Sequence, residues 1–220
     1  MGEFFQELWL EWPALLSGIH WTIVLSFTST ISGLLGGMFL LFFMTHPSSK
    51  VRAIANAYAT FFIGTPLLAL LFLMYYGLPT IGLPLSPFAA SFLGFTLNIA
   101  AYNARYLMSG YKAISQTELT AAKAMGYGRR QTFFLLILPQ SVRYAVPGLT
   151  SQAINNLKDS SIAFLIQFDG LLSFIQNFTA QNFFFFRGYF FAAIIYLILV
   201  ILLSIATRKI QRRTHIPGFP

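Results

Sequence analysis

Long apolar blocks alternate with short polar connections along the whole chain. A bilayer core about 30 Å thick is crossed by about 20 apolar residues in a helix. Stretches of this length and character lie at Ile19–Met44, Ile54–Tyr76, Pro87–Leu107, Ala145–Gln167 and Gly188–Thr207. The pattern predicts an all-α, polytopic membrane protein with five transmembrane helices, forming a single membrane domain over residues 1–220.

Two of these stretches contain residues that predict how the helices pack. Gly33 and Gly37 form a GxxxG pair in the first stretch, a spacing that lets a second helix approach closely. Pro66 lies inside the second stretch, where it removes a backbone hydrogen bond and predicts a kink or break packed against protein.

Basic residues collect in alternate connections, which sets the predicted orientation. The segment before the first stretch has no Lys or Arg, the second connection has none and the fourth has only Arg187. By contrast, the first connection carries Lys50 and Arg52, the loop of about 108–144 carries five basic residues, and the tail 208–220 carries four. Because short cytoplasmic loops are rich in Lys and Arg, we expect the N-terminus outside and both the loop and the tail in the cytoplasm.

Composition narrows the function classes. The chain is 56% hydrophobic and only 9% charged, so its net charge of +8 is interpreted as orienting a membrane protein rather than binding nucleic acid. With no Cys in the sequence, a thiolate metal site or cysteine nucleophile is excluded. His20, His46 and His215 are isolated from other ligand types, so no metal site is expected.

The loop between the third and fourth stretches contains its own helix signals. Ser115 followed by Glu118 predicts a capping box, and Gly126 lies where a left-handed residue would end a helix over Gln116–Met125. A second helix is predicted over about Arg130–Leu138. Two interpretations of this pair are open: an amphipathic helix at the lipid surface, or a docking element for a partner protein.

The spacing within this loop resembles that of a known motif. Three residues separate Thr120-Ala121-Ala122 from Gly126, nine separate Gly126 from Leu136, and one separates Leu136 from Leu138-Pro139. This arrangement is similar to the EAA loop of ABC importer permeases, in which Glu and Ile stand at the positions of Thr120 and Leu136. The family's Glu is associated with docking to the ATPase, and here it is replaced by Thr.

The resemblance extends over roughly residues 15–210 and indicates a subfamily. The segments LLSGIHWTIVLSF, IGTPLLALLFLMYYGLP and ILPQSVRYAVPGLTSQAINNLKDSSIAFLI are similar to conserved runs of the polar amino acid permeases of the histidine, glutamine and arginine type. The resemblance implies the type I ABC importer transmembrane-domain fold in a bacterial cytoplasmic (inner) membrane. It also implies a dimer with a second copy or a sister permease.

Further partners implied by the resemblance are a cytoplasmic ABC ATPase dimer and an extracytoplasmic amino-acid-binding protein. No cofactor is expected in this chain, which is not an enzyme and lacks a GxxxxGK[ST] phosphate loop, so ATP and Mg would be bound by the partner ATPase. The residues implied to couple to that ATPase are Leu119, Thr120, Ala121, Ala122, Met125, Gly126, Leu138 and Pro139.

The fourth stretch is unusually polar for a membrane span. Gln152, Asn155 and Asp159 follow i, i+3, i+7 spacing, with Lys158 and Ser160 beside them. Intramembrane ionisable groups generally face a bundle interior or a water-filled path. A substrate pathway offering amides and both signs of charge would suit an amino acid, although Lys158 and Asp159 also fit a purely structural pair.

Other function classes remain open from the residues. An ion-coupled secondary transporter or channel would need rings of intramembrane carboxylates or inverted repeats, whereas Asp159 is the only carboxylate within the predicted spans. An ABC permease for a different small polar solute is a further alternative. An intramembrane enzyme is disfavoured because no His lies in the middle of a span.

Overall fold

A computed structural model describes residues Gly2–Thr214, apart from the side chains of Ile210 and residues 212–214. The described residues form helices joined by short connections and contain no strand, which confirms the all-α prediction. The α-helices are α1 Gly2–Leu10, α2 Trp12–Met44, α3 Ser49–Gly64, α4 Leu67–Phe72, α5 Pro87–Lys112, α6 Gln116–Ala124, α7 Arg129–Thr132, α8 Leu138–Asp159, α9 Leu171–Asn182 and α10 Phe185–Thr214.

Four non-α turns continue these helices. Two are π turns, at Leu73–Gly77 and Phe133–Ile137, and two are 3-10 turns, at Leu78–Ile81 and Ser160–Ile166.

The prediction that the helix over Arg130–Leu138 ends before Pro139 is wrong. The helix that begins at Arg129 continues through a π turn into α8, where the amide of Leu138 donates to the carbonyl of Phe133. Proline in an α-helix lacks a donor, and its ring clashes with the carbonyl four residues earlier. A wider π turn directly before Pro139 accommodates the ring without ending the helix. The same sequence of π turn, leucine and proline occurs at Pro79.

Two helices among the described residues are long and apolar enough to span a membrane, Trp12–Met44 and Phe185–Lys209. Two bent pairs raise the number to at most four: Ser49–Gly64 with Leu67–Ile81, and Arg129–Ile166 with Leu171–Asn182. The remaining predicted span corresponds to α5, whose 26 residues exceed the bilayer core at about 1.5 Å per residue. Its polar residues, including Asn98 and Asn103, make α5 less apolar than α2. The count of five spans therefore stays a prediction.

The predicted break at Pro66 is confirmed, and a neighbouring helix compensates for it. Thr65 is extended, with φ −93° and ψ 128°, as expected for a residue before proline, so the carbonyl of Phe62 lacks a helical donor. The side-chain amide of Asn98 on α5 donates to this carbonyl at 2.8 Å. The polarity of α5 thus serves the backbone of α3.

The chain divides into two compact units, each built from separated segments. The first comprises the residues up to Thr30, Leu67–Phe95 and Ala153–Ile205; the second comprises Ile31–Pro66, Thr96–Gln152 and the residues from Ala206 onward. Helices α1 and α9, which lie outside the five predicted stretches, contribute to the core of the first unit. That core contains Phe4, Leu8, Leu15, Leu171, Ile175, Phe178 and Ala192. The spacing of Leu171, Ile175 and Phe178 is helical, so periodicity contained the signal for α9.

Within the second unit, α2 and α5 approach closely at the predicted GxxxG pair. A Cβ atom placed on Gly33 would lie 2.5 Å from Ile99 Cγ2, and one placed on Gly37 would lie 2.7 Å from Asn103 Cβ. A hydrogen bond of 2.7 Å joins the hydroxyls of Ser32 and Thr96 at the same seam. The seam therefore depends on the absence of side chains at the two glycines.

We predict that Gly37→Ala destabilises the protein by about 1–3 kcal/mol, the usual cost of overpacking, because the backbone of Ala104 lies 3.1 Å from the added Cβ position. The control is Gly64→Ala on α3, where nothing lies within 4 Å of the added atom. Thermal unfolding of both variants in detergent, followed by circular dichroism, measures the difference. Equal unfolding temperatures for the two variants would contradict the close-packed seam.

Candidate functional site: the α6–α7 segment

Helix α6 begins at the predicted residue with Ser115 as its N-cap, but only the serine half of the predicted capping box forms. The hydroxyl of Ser115 accepts a hydrogen bond from the amide of Thr117 at 3.2 Å, which satisfies one amide of the first turn. The predicted reciprocal contact of a capping box is absent at this helix start. Instead, the carboxylate of Glu118 accepts a 2.7 Å hydrogen bond from the side-chain amide of Gln140 on α8. The predicted capping box is wrong because Glu118 has a tertiary partner.

The C-terminal end of α6 follows the prediction closely. Gly126 has φ +80°. Its amide donates to the carbonyl of Lys123 at 3.0 Å, and the amide of Tyr127 donates to the carbonyl of Ala122 at 3.0 Å. These two bonds form a Schellman motif, which requires a left-handed residue and so favours glycine. The helix ends at Ala124 with Met125 as its cap.

The residues implied to couple to an ATPase are divided between the two faces of α6. Ala122 is only 2% exposed and Leu119 is half-buried, so both anchor the helix, and a direct contact of the Ala122 side chain with a partner is not expected. Thr120, Ala121 and Met125 are exposed. The hydroxyl of Thr120 donates to the carbonyl of Gln116 at 2.8 Å. The accessible surface of α6 therefore combines small side chains with exposed polar ones, including Glu118 and Lys123.

Two further coupling residues, Leu138 and Pro139, lie outside α6. Leu138 is half-buried and Pro139 is exposed, at the start of α8 and next to Gln140, the partner of Glu118.

A second contact anchors this segment through Arg129, one of the five basic residues of the loop of about 108–144. Its Nη2 donates to the carbonyl of Phe42 at 2.9 Å, and its guanidinium lies 4.1 Å from the centre of the Phe42 ring. The carbonyl lies near the C-terminal end of α2, where helix carbonyls lack donors and attract cations. The two anchors, Glu118–Gln140 and Arg129–Phe42, hold the segment from both ends.

The predicted pathway residues on α8 differ in their environment. Gln152 is 6% exposed and Ser160 is 5% exposed, Asp159 is half-buried, and Asn155 and Lys158 are exposed. The Ser160 hydroxyl donates to the carbonyl of Leu157 at 2.7 Å, so its proton is already used in a hydrogen bond with the preceding turn. Asn155, Lys158 and Asp159 therefore offer the more accessible polar groups.

The most connected polar residue of this region is Asn156, which was not among the predicted pathway residues. Its side-chain amide, 1% exposed, lies 2.8 Å from the carbonyl of Ser26, 3.0 Å from Ser29 Oγ and 2.8 Å from Thr30 Oγ1, all on α2. Buried polar groups with several partners hold two helices in one register. Asn156 therefore joins α8 to α2 within the first unit.

Metal-binding chemistry and the basic tail add little to the site. Among the described residues no group of three or more His, Asp or Glu side chains is placed to hold a metal ion. Arg208 and Lys209 are exposed at the end of α10. The side chains of Arg212 and Arg213, and all of His215, lie outside the described residues.

Comparison with known proteins identifies the class. Residues 33–216 match the family of binding-protein-dependent transport system inner membrane components. Because this match covers most of the chain, the protein belongs to that family, and it is a membrane-spanning permease subunit of a transport system.

Individual relatives agree with this assignment. The chain is 35% identical over 162 residues to the probable amino-acid ABC transporter permease protein YckA of Bacillus subtilis, covering 74% of this chain and 72% of that one. It is 30% identical over 214 residues to the putative glutamine transport system permease protein GlnP of Rickettsia conorii, covering 97% and 98%.

A solved structure confirms the fold. A crystal structure of an amino acid ABC transporter with histidines matches with a TM-score of 0.85 and 27% identity, covering 95% of this chain and 98% of that one. The chain therefore has the type I ABC importer permease fold that the resemblance implied.

We predict that Gly126→Ala destabilises the end of α6, because a left-handed conformation costs a residue with a Cβ about 1–2 kcal/mol. Gly128→Ala is the matched control: Gly128 has φ −68°, which alanine adopts readily, and an added Cβ there meets only Gln131 Oε1 at 3.6 Å. Hydrogen exchange of the α6 amides should accelerate about fivefold or more in the first variant only. Equal exchange in both variants would mean that the Schellman motif does not hold the helix end.

Proposed function

We propose that this chain is the permease subunit of an ATP-driven amino acid importer in a bacterial cytoplasmic membrane. The observation that carries the proposal is the near-complete structural match to an amino acid ABC transporter, supported by relatives whose names specify amino-acid and glutamine transport. A separate binding protein would deliver the substrate outside the cell. A cytoplasmic ATPase dimer would bind ATP and Mg, and a second permease subunit, either a copy or a sister chain, would complete the pathway.

Reconstituted vesicles test this proposal directly. Purified permease, its genomically neighbouring ATPase and binding protein would be combined in liposomes and supplied with a panel of radiolabelled amino acids. Uptake is expected only when all three proteins and internal ATP are present. Full uptake without ATP or without the ATPase would instead support an ion-coupled transporter or a channel, and uptake restricted to another small polar solute would change the substrate class.

The α6–α7 segment is proposed to transmit ATPase movement to the membrane helices. Coupling between distant sites needs a contiguous, rigid element that both sites bias. The Schellman motif at Gly126 and the contacts of Glu118 and Arg129 to α8 and α2 supply that rigidity. The exposed groups of Thr120, Ala121 and Met125 offer a shallow surface for a cleft in the ATPase, and Thr120 would present a hydroxyl there in place of a carboxylate.

We predict that Ala121→Cys is modified by a water-soluble maleimide and becomes protected when the ATPase is bound. Ala122→Cys is the matched control, since the adjacent position is only 2% exposed and should react at least about tenfold more slowly with or without ATPase. The natural sequence has no cysteine, so any labelling reports the introduced residue alone. Unchanged labelling of Ala121→Cys in an active, assembled complex would contradict the docking proposal without affecting the transport proposal.

The polar face of α8 is proposed to line the substrate pathway, through Gln152, Asn155, Lys158, Asp159 and Ser160. An amino acid carries an ammonium and a carboxylate, and the accessible groups of Lys158 and Asp159 have complementary charges. The half-buried Asp159 carboxylate is suited to the ammonium group because partial burial strengthens a charge pair relative to water.

We predict that Asp159→Ala lowers amino acid uptake by about tenfold, equivalent to ~1.4 kcal/mol, without reducing assembly with the ATPase. Asp169→Ala provides the control: Asp169 is exposed and lies in the turn before α9, outside the proposed pathway. Uptake and co-purification of the ATPase should be measured on the same preparations. Normal uptake by Asp159→Ala would remove this residue from the pathway, whereas parallel loss of uptake and assembly would indicate a structural role.

A further inference from the structure

A cavity of about 580 Å³ lies within the second unit, beside α6. Its lining comes from the end of α2 and the residues that follow it, from α3, α5, α6 and α7, and from the π turn Phe133–Ile137. Met44 ends an apolar helix long enough to cross a membrane, and it contributes to the lining together with Thr45 and His46. The cavity is therefore placed at the level where this helix meets the aqueous boundary of the bilayer.

The Lys and Arg side chains that line the cavity make it positively charged. Arg52, Lys123 and Arg129 line it, and none of its lining residues is Asp or Glu. These three cations come from distant parts of the sequence, the first connection and the α6–α7 segment. Like charges brought together without a carboxylate repel each other, at a cost that an anion between them would remove.

The two arginines are oriented by backbone contacts that leave donors available. Nη1 of Arg52 donates to the carbonyls of His46 at 2.8 Å and Pro47 at 2.6 Å. Arg129 uses Nη2 for the carbonyl of Phe42. A guanidinium has five N–H donors in a fixed plane, so each arginine retains donors beyond these described contacts. Backbone anchoring restricts the arginine side chains, and less freedom is then lost when a ligand binds.

His46, which also lines the cavity, provides a titratable group close to these arginines. Desolvation lowers the pKa of its imidazole, and the nearby charges of Arg129 and Arg52 lower it further. An anion entering the cavity would oppose the effect of the arginines, so we expect its binding to raise the pKa of His46.

From this geometry we propose that the cavity formed by Arg52, Lys123 and Arg129 binds a phosphate group. Planar guanidinium groups match phosphate oxygens with paired hydrogen bonds, and lysine adds a mobile point charge. The position beside the end of α2 makes the phosphodiester of a lipid headgroup one source, since basic pockets at the cytoplasmic ends of membrane helices bind anionic headgroups. Free inorganic phosphate has the same binding chemistry and is the second source.

A bound phosphate at this place has a structural consequence. Lys123 belongs to α6, whereas Arg52 belongs to α3, so one ligand contacting both would tie the α6–α7 segment to a membrane helix. The effect would add to the Arg129–Phe42 anchor. The cavity shares Thr120 with the surface proposed to meet the ATPase, but the experiment below uses the permease chain alone and so does not depend on docking.

The experiment uses the full chain in a maltoside detergent that contains no phosphate. Dihexanoylphosphatidylglycerol and inorganic phosphate are titrated separately while the His46 imidazole is followed by NMR with isotopically labelled histidine, its signal assigned by its loss in His46→Gln. Either probe is expected to raise the pKa of His46 and to saturate. Saturation by the lipid alone assigns the site to headgroups, saturation by phosphate alone assigns it to the free anion, and both results support a phosphate site.

Charge variants decide whether the binding is local. Lys123→Gln preserves the described arginine contacts and is expected to weaken binding of the probe about tenfold, and Arg129→Gln at least as much. Arg130→Gln is the matched control, because Arg130 is adjacent and exposed but does not line the cavity. The proposal is overturned if neither probe shifts His46, if Lys123→Gln binds as the natural sequence does, or if Arg130→Gln weakens binding equally.

Discussion

Backbone carbonyls that lose their helical donor must find another one inside the protein, because the hydrocarbon of a bilayer supplies none. The contact of Asn98 with the carbonyl of Phe62 at 2.8 Å answers this constraint at the break before Pro66. It permits α3 to end within an otherwise apolar stretch, and it explains why α5 carries an amide at this position. A buried seam of small residues around Gly33 and Gly37 then brings α2 against the same helix.

The same constraint shapes the segment proposed to meet the ATPase. A π turn before Pro139 keeps α7 and α8 in one helical path, and the Arg129 guanidinium uses a carbonyl near the end of α2. Movement applied to α6 therefore meets side-chain contacts to two long helices rather than a flexible loop. In a transport subunit that contains no ATP-binding motif of its own, such continuity is the physical requirement for coupling.

Sequence reasoning was most successful where one residue type imposes a local conformation. Gly126 ended α6 in the left-handed region, Pro66 broke the second stretch, and the glycine pair marked a close helix contact. It failed where a tertiary partner outcompeted a local one: Glu118 bonds to Gln140 instead of completing a capping box. It also failed at Pro139, because the rule that proline ends a helix does not include a preceding π turn.

The sequence by itself determined the helical membrane class, the family resemblance and the ends of α6, since apolar length, motif spacing and glycine conformation are local properties. Tertiary structure decided which side chains of a helix are buried, which are exposed and which distant residues they contact. It buried Ala122 and exposed Ala121, gave Asn156 three oxygen partners on α2, and brought Arg52 to the same cavity as Lys123 and Arg129. These outcomes depend on contacts between residues far apart in the chain, which helical periodicity does not specify.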